Sequence, residues 1–403
     1  MKLYRHDKFI ALAARRVSAQ RFVVLIGIVS LFGDMTYEGA RSIVGQYLAH
    51  LGASATVVGV TAGLGELAGY VLRLASGYAS DRTGRYWAIT IVGYVINLLA
   101  VPMLAFAGSW PSAAVLVVIE RTGRALRTPT RDSMLSSAAT LTGAGWAFGL
   151  HEALDTAGAI VGPLAIAAAL YFGLSYKFGF AMLAIPASLS ILSLLLARSW
   201  FPNPGALEID EHIGDPQTLP RLFWICSFAG ALIAVGYADF SLIAYHFAKA
   251  AVVTPALIPV FYSLAMAAAA IAALLLGRLF DRIGSAVMIP ATLISAVSAP
   301  LTFLGGPLVA ALGVVCWGIG MGAQESIMRA LIGSMAPRAR RGTAFGLFHA
   351  IFGIAWFAGS AALGFIYDHS VIGVAAFSLL FQLAAVPLLI AVVRQWPSKR
   401  AAS

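Results

Sequence analysis

Gly77-Tyr-Ala-Ser-Asp81-Arg82-Thr-Gly84-Arg85 and Gly277-Arg-Leu-Phe-Asp281-Arg282-Ile-Gly284 are two copies of one loop motif, 200 residues apart in the chain. A second pair of matching segments, Ala147-Phe-Gly-Leu150 and Ala344-Phe-Gly-Leu347, recurs at an offset of 197 residues. Two independent matches at nearly the same offset indicate an internal repeat. The chain is therefore predicted to be a duplicated unit, with one copy in each half.

The composition excludes a water-soluble globular protein. The 403-residue chain is 60% hydrophobic and 11% charged, whereas soluble domains carry about 25% charged residues. The net charge of +10 would favour nucleic acid as the partner of a soluble protein, but here the expected partner is the lipid bilayer. The predicted class is an all-α integral membrane protein.

The sequence predicts twelve membrane-spanning helices, because apolar segments that match a hydrocarbon core of about 30 Å recur twelve times. The predicted spans are 22–48, 57–78, 87–107, 112–134, 144–171, 177–197, 222–248, 255–277, 286–304, 308–334, 342–366 and 371–393.

The positive charges predict the orientation of these spans. With a cytoplasmic N-terminus, most of the 27 Lys and Arg residues fall in cytoplasmic segments, and the opposite loops and helix ends hold only Lys177 and Lys249. Both termini are then cytoplasmic, in a bacterial-type plasma membrane. The predicted organisation is a basic tail (1–21), a six-helix bundle (22–198), a cytoplasmic linker (199–221), a second six-helix bundle (222–393) and a short tail (394–403).

The loop motif between spans 2 and 3, with its echo between spans 8 and 9, resembles the major facilitator superfamily of secondary transporters. The resemblance implies two six-helix bundles that rock about a central site, lined by spans 1, 4, 7 and 10. It also implies that a latch holds the cytoplasmic side closed in one conformational state; its residues are Gly77, Asp81, Arg82, Gly84 and Arg85, with Asp281 and Arg282 in the second copy. The plainer alternative is a basic loop that only sets the topology.

Span 5 carries Gly149, Gly158, Gly162 and Pro163, which resemble the glycine-proline motif of proton-coupled exporters in that superfamily. This resemblance favours export. A close helix crossing with a kink is the alternative and has no bearing on direction.

Charged residues form one stripe on each of two predicted spans. A charge at mid-bilayer costs about 2.5–3.5 kcal/mol even on a lenient scale, so a stripe must face a water-filled cavity or an opposite charge. At about 100° per residue, Asp34, Glu38 and Arg41 share one face of span 1. Span 4 presents Glu120, Arg124, Arg127 and Arg131 in the same way, with Arg121 to one side.

We expect Asp34 to carry a coupling proton, because it lies near the midplane with Glu38 one turn away and Arg41 closer to Glu38. Glu66 on span 2 is the alternative carrier, and a static network of ion pairs is the alternative role. On span 4, Arg127 and Arg131 are expected to form a gate with Glu152 and Asp155 or to bind substrate. Arg41, Glu120, Arg121 and Arg124 are the expected substrate contacts. In one interpretation, Arg124 and Arg127 bind an anionic group by forked hydrogen bonds.

The second half carries fewer charged residues within its predicted spans. Its expected cavity wall and gate consist of Tyr237, Asp239, Gln324, Glu325, Arg329 and His349. His349 occupies the repeat position of Glu152, and Glu325 and Arg329 have the spacing of a helical ion pair. The histidines lack the spacing of a metal site, so no metal is expected.

The sequence thus predicts a proton-coupled antiporter that exports a small polar or charged organic solute, as a monomer without a cofactor. A proton-coupled importer of a small organic anion is the alternative, followed by a lipid-moving protein. No nucleotide-binding loop occurs in the sequence, so an ion gradient is the expected energy source. An enzyme is not expected, because no Ser/His/Asp or metal constellation occurs and the internal repeat suits alternating access.

Overall fold

The computed structural model describes residues 2–202, 219–335 and 341–395. For residues 2–16 and a few helical positions, among them Asp81, Asp281 and Arg329, it describes the backbone alone. Most of the predicted linker and the C-terminal tail lie outside the described residues. The described part is helical throughout, without strands, as predicted.

Sixteen α-helices make up the described part of the chain. In the first half these are α1 (Lys2–His50), α2 (Ala55–Thr83), α3 (Tyr86–Met103), α4 (Trp110–Thr142), α5 (Ala144–Tyr171), α6 (Tyr176–Met182) and α7 (Ala184–Trp200). In the second half they are α8 (Arg221–Gly236), α9 (Phe240–Lys249), α10 (Leu257–Ile283), α11 (Met288–Ala296), α12 (Ser298–Leu304), α13 (Pro307–Ala323), α14 (Arg329–Met335), α15 (Arg341–His369) and α16 (Val371–Gln395).

Eleven helical stretches in the described residues are long and apolar enough to cross a membrane. Helix α4 is not among them although it has 33 residues, because charged residues from Glu120 to Asp132 lower its hydropathy. Its length exceeds the roughly 20 residues that a crossing needs. The twelfth span therefore stays a prediction.

Helix α4 extends beyond residue 134, the predicted end of span 4. Helix α4 continues to Thr142, because residues 135–142 include neither Gly nor Pro. Gly143 ends it with a φ of 93°, a conformation that favours glycine. Arg131 consequently lies about three turns inside the helix rather than near its end.

The crossing predicted at 222–248 is interrupted. Helix α8 ends at Gly236, Tyr237 to Asp239 leave the helical conformation, and α9 begins at Phe240. Asp239 is the N-cap of α9, where its carboxylate accepts a hydrogen bond of 2.8 Å from the Ser241 amide. The interruption lies in the membrane interior, where irregular backbone is tolerated only if protein or a cavity surrounds it.

A second irregularity lies between α13 and α14, where residues Gln324–Met328 form a short π-helix. Such segments widen the helix by one residue per turn and occur frequently at functional sites.

Helices α1 and α5 cross closely through two glycines of α5. A Cβ atom at Gly158 would collide with the carbonyl oxygen of Leu31, and one at Gly162 would lie 2.8 Å from the carbonyl carbon of Met35. Gly149 is different, since a Cβ there would meet nothing within 4 Å. The geometry of Gly158 and Gly162 supports the packing interpretation of this motif.

Hydrogen bonds join the two chain halves at one end of the bundle. We call the end where α7 stops and α8 starts the linker side, and the opposite end the far side. On the far side, the Asp368 carboxylate of α15 accepts hydrogen bonds of 2.9 Å from the Ala55 and Thr56 amides at the start of α2. The Tyr245 hydroxyl of α9 donates to the Ala53 carbonyl at 3.2 Å.

We predict that Gly162→Ala lowers the thermal unfolding temperature of the purified protein, because overpacking a close contact costs about 1–3 kcal/mol. Gly149→Ala is the matched control in the same helix. It should leave the unfolding temperature unchanged or raise it slightly, since alanine favours helix. Equal unfolding temperatures for the two variants would contradict the account of the α1–α5 crossing.

Candidate functional site

The charged stripes of α1 and α4 face each other in the interior of the helix bundle. The Arg127 guanidinium lies 3.6 Å from the Asp34 carboxylate, and the Arg124 guanidinium lies 3.8 Å from Glu38. Asp34, Glu38 and Arg127 are buried, while the Arg124 side chain retains 26% of its exposure. The two pairs form a ladder of opposite charges between the helices.

Tyr37 lies at the centre of this ladder. Its hydroxyl accepts hydrogen bonds from Arg41 at 3.2 Å and from Arg121. Its ring lies beneath the Arg124 guanidinium, 3.9 Å from the ring centroid, in a cation–π contact. Tyr37 therefore holds three guanidinium groups in place.

Arg41 joins the two chain halves. Its guanidinium lies 3.2 Å from the Asp239 carboxylate at the interruption between α8 and α9, and 3.8 Å from Glu66. Arg41 was expected to lie closer to Glu38 than to Asp34, and that expectation stays a prediction. The close contacts of Glu38 in the structure are with Arg124 and with the Tyr262 hydroxyl of α10, which donates to it.

Arg121 and Arg124 differ in their surroundings, although both were expected to contact substrate. Arg121 is buried, with one guanidinium nitrogen 2.9 Å from Glu66. Arg124 is the more exposed of the two. The exposure makes Arg124 the better candidate for contact with a solute.

Glu120 lies beside this cluster and contacts α3. One carboxylate oxygen accepts a hydrogen bond of 2.5 Å from the Asn97 amide, and the other lies 3.4 Å from Nε of Arg121. A small cavity borders the same group; its lining residues are Tyr37, Ala40, Arg41, Val44, Val101, Leu104, Val117, Glu120 and Arg121.

Nearer the linker side, Arg131 forms an ion pair of 2.9 Å with Asp132 of its own helix. It also donates to the Ser30 hydroxyl at 3.2 Å, which in turn contacts His151 at 2.8 Å. Asp155 lies within electrostatic reach of Arg131 and Arg127. Glu152 is exposed. The gate that these residues were predicted to form stays a prediction.

The second half places its predicted residues on different surfaces. Tyr237 is buried, and its hydroxyl donates to the Trp317 carbonyl. Gln324 is buried and Glu325 is exposed on the π-helical segment. His349 stacks on Tyr70 of α2 with ring centroids 5.4 Å apart, which is a contact between the two halves. The Arg329 side chain lies outside the described residues.

The loop motif forms the end of α2 and the turn that follows it. Gly84 ends the helix with a φ of 66°, and Gly284 has a φ of 68° at the equivalent place after α10. Arg82 donates to the Tyr78 hydroxyl at 3.3 Å. The side chains of Arg85 and Arg282 are exposed. Gly77 packs near Pro129 of α4. The side chains of Asp81 and Asp281 lie outside the described residues, so the latch stays a prediction.

Three functional-site residues were missed in the sequence: Tyr37, Tyr262 and Asn97. Tyr37 lies close to the charged stripe of α1, and its spacing from Asp34 was a usable signal. Tyr262 and Asn97 lie in apolar helices where nothing local distinguishes them. Gly236 and Asp239 together gave a signal for the interruption, since glycine ends helices and aspartate begins them.

Comparisons with known proteins identify one protein family. A family model of the Major Facilitator Superfamily matches residues 23–360 and 223–401. An uncharacterised protein of Mycobacterium tuberculosis is 38% identical over 384 residues, covering 93% of this chain and 94% of the relative. An uncharacterised MFS-type transporter of Methanocaldococcus jannaschii is 26% identical, covering 86% and 89%.

The fold is similar to that of solved transporter structures. The crystal structure of a mutant nucleoside transporter, NupG, superposes with a TM-score of 0.73 at 13% identity, covering 93% of this chain and 100% of that chain. At this identity the likeness shows the fold alone.

We predict that Arg41→Gln destabilises the purified protein more than the double variant Arg41→Gln/Asp239→Asn. Removing one partner of a buried pair leaves an uncompensated charge, which costs about 3–5 kcal/mol. The double variant keeps a side-chain oxygen at residue 239 to cap α9. Thermal unfolding of Arg41→Gln, Asp239→Asn and the double variant measures the effect. A double variant whose unfolding temperature falls by the sum of the two single-variant decreases would contradict the pairing.

Proposed function

The chain belongs to the Major Facilitator Superfamily of membrane transporters, and on that premise we propose that it is a proton-coupled antiporter that exports a small polar or charged organic solute. Transport follows from the family. The proton, the direction and the class of solute are the proposal, and alternating access between two bundles is the proposed mechanism.

The proposed topology has twelve spans, with α4 as the fourth. The two six-helix bundles are residues 22–198 and 222–393, and the linker side faces the cytoplasm together with both termini. The distribution of Lys and Arg supports this orientation. The length of α4 supports its crossing. We propose that the protein works as a monomer in a bacterial-type plasma membrane.

The observation that carries the proposal is the loose pairing of the ladder between α1 and α4. Charge-assisted N–H···O bonds are about 2.7–2.9 Å long, whereas the Asp34–Arg127 and Glu38–Arg124 distances are 3.6 and 3.8 Å. A carboxylate in such a pair exchanges its guanidinium partner for a proton or a solute at low cost. Asp34 is the proposed carrier of the coupling proton.

Glu66 is less suited to this role, because it holds Arg121 at 2.9 Å and lies near Arg41 as well. Glu38 is the proposed site of exchange with the solute. Its partner Arg124 is accessible, and the Tyr262 hydroxyl from the second half holds its other oxygen. A solute that displaces one of these contacts alters an interaction between the two halves.

The proposed gates lie at the two ends of this site. On the far side, Asp368 and Tyr245 hold the halves together. On the linker side, we propose Arg131, Glu152 and Asp155 as gating groups in the first half. The other proposed gating residues are those of the two loop motifs together with Arg329 and His349.

A proton-coupled importer of a small organic anion is the second candidate. The exposed guanidinium of Arg124 favours it, because a forked donor binds a carboxylate or phosphate well. In that case proton and solute move in the same direction.

We predict that Asp34→Asn abolishes solute-triggered proton flux in liposomes that contain a pH-sensitive dye. The amide keeps the size of the side chain but cannot exchange a proton at neutral pH. Asp215→Asn, a carboxylate of the linker, is the matched control and should leave the flux unchanged. Undiminished flux in Asp34→Asn would overturn the assignment of the carrier.

We predict that a transported solute dissipates a gradient that is acidic inside the liposome when the solute is supplied outside. This result is the signature of antiport, because protons leave as the solute enters. Anionic, cationic and neutral organic solutes are tested separately. An anion that enters together with protons, under a gradient acidic outside, would favour the importer.

A further inference from the structure

The charged groups near Tyr37 are not balanced. Two guanidinium groups, Arg41 and Arg121, lie among three carboxylates, Glu66, Glu120 and Asp239. The two close contacts are Arg121 with Glu66 at 2.9 Å and Arg41 with Asp239 at 3.2 Å. Arg124 and Arg127 lie against Glu38 and Asp34 at 3.8 and 3.6 Å, so four guanidinium groups serve five carboxylates. Glu120 shares Arg121 with Glu66 and lies farther from it, at 3.4 Å.

The contacts of Glu120 suit a protonated carboxyl group. Oε1 accepts the hydrogen bond from Asn97, as the carbonyl oxygen of a carboxylic acid does. Oε2 lies 3.4 Å from Nε of Arg121, and that Nε makes no hydrogen bond. Glu120 is 5% exposed, and a buried negative charge is costly when its guanidinium partner is shared with another carboxylate.

A cavity with polar groups at one end lies beside Glu120. Tyr37, Arg41 and Glu120 line that end, and the wall toward the far side is apolar, with Val44, Val101 and Val117. The Nε atom of Arg41 is also buried without a hydrogen-bond partner. Buried donors without partners beside a cavity are the setting in which ordered water is found.

We propose that Glu120 binds a proton on Oε2, and that water in the adjoining cavity delivers this proton to the carboxyl group and removes it. The carboxylate takes the proton from a hydronium ion, forming one O–H bond and leaving water, and the reverse step returns it. This inference rests on the proposed proton coupling, since it adds a second proton site to the one at Asp34.

The neighbours of Glu120 explain how its proton responds to the rest of the site. Charged groups that act on it are Arg121, Arg124 and Arg127 of its own helix and Glu38 of α1. From the helices packed around it, α3 contributes the neutral Asn97, α1 adds Tyr37 and Arg41, α2 adds Glu66 and α9 adds Asp239. If Arg121 left Glu66 and turned toward Glu120, the proton would be released.

Infrared difference spectroscopy of the full-length protein in lipid tests the proposal, with the proton itself as the probe. Wild-type protein should show the carbonyl stretch of a buried carboxylic acid that shifts in D₂O, and Glu120→Gln should lose this band. Asn97→Leu should move the band to higher frequency, because the carbonyl oxygen loses its donor. Val117→Leu, which narrows the cavity, should slow its exchange in D₂O.

Asp34→Asn is the control that separates this proposal from the proposed function. The Glu120 band should persist in Asp34→Asn protein, whatever the effect of that substitution on proton flux. A wild-type spectrum that Glu120→Gln and Asn97→Leu leave unchanged across the pH range would overturn the proposal. If Glu120→Gln fails to fold, the shift in Asn97→Leu decides between the two outcomes.

Discussion

The charged faces of α1 and α4 depend on each other, because neither could face lipid alone. Each buried guanidinium or carboxylate would cost several kcal/mol without a partner, and the ladder from Asp34 to Arg127 removes most of that cost. The close crossing of α3 and α4 helps to hold α4 in place for this contact with α1. At the α3–α4 crossing, a Cβ at Gly93 would lie 2.7 Å from the Arg127 backbone nitrogen, and one at Gly123 would lie 2.8 Å from Cα of Asn97.

The second half of the chain completes this network with two groups. Asp239 reaches Arg41 because the helix stops at Gly236 and starts again at Phe240, which turns a capping carboxylate toward the first half. Tyr262 donates to Glu38 from α10. Charge pairing in the first half and contact between the halves are thus parts of one arrangement, in which a change of partner at Glu38 or Arg41 alters how the halves meet.

Much of the fold was predictable from the sequence, and the pairing was not. Hydropathy and repeats predict a duplicated helical membrane protein, and the loop motif resembles that of this superfamily. The helical period predicts that charges on α1 and α4 share one face each. Which carboxylate meets which guanidinium depends on helix rotation and depth, so the contact of Arg41 with Asp239 of the other half could not be predicted. Tyr262 and Asn97 were missed because a single polar residue in an apolar helix carries no local signal of its partner. The continuation of α4 to Thr142 was not predicted, because residues 135–142 are Leu, Ala, Ser and Thr without a Gly or Pro to mark a boundary.

The most direct test of coupling between this charge network and alternating access is a distance measurement by electron paramagnetic resonance at two pH values. One spin-label pair, Trp146→Cys with Ile283→Cys, spans the halves on the linker side. A second pair, Phe172→Cys with Leu257→Cys, spans them on the far side. All four positions are exposed, and the native Cys226 and Cys316 are replaced by serine. Acidification should shift the two distances in opposite directions, and Asp34→Asn should abolish the response. Distance distributions that stay the same at both pH values in the wild-type protein would contradict the account.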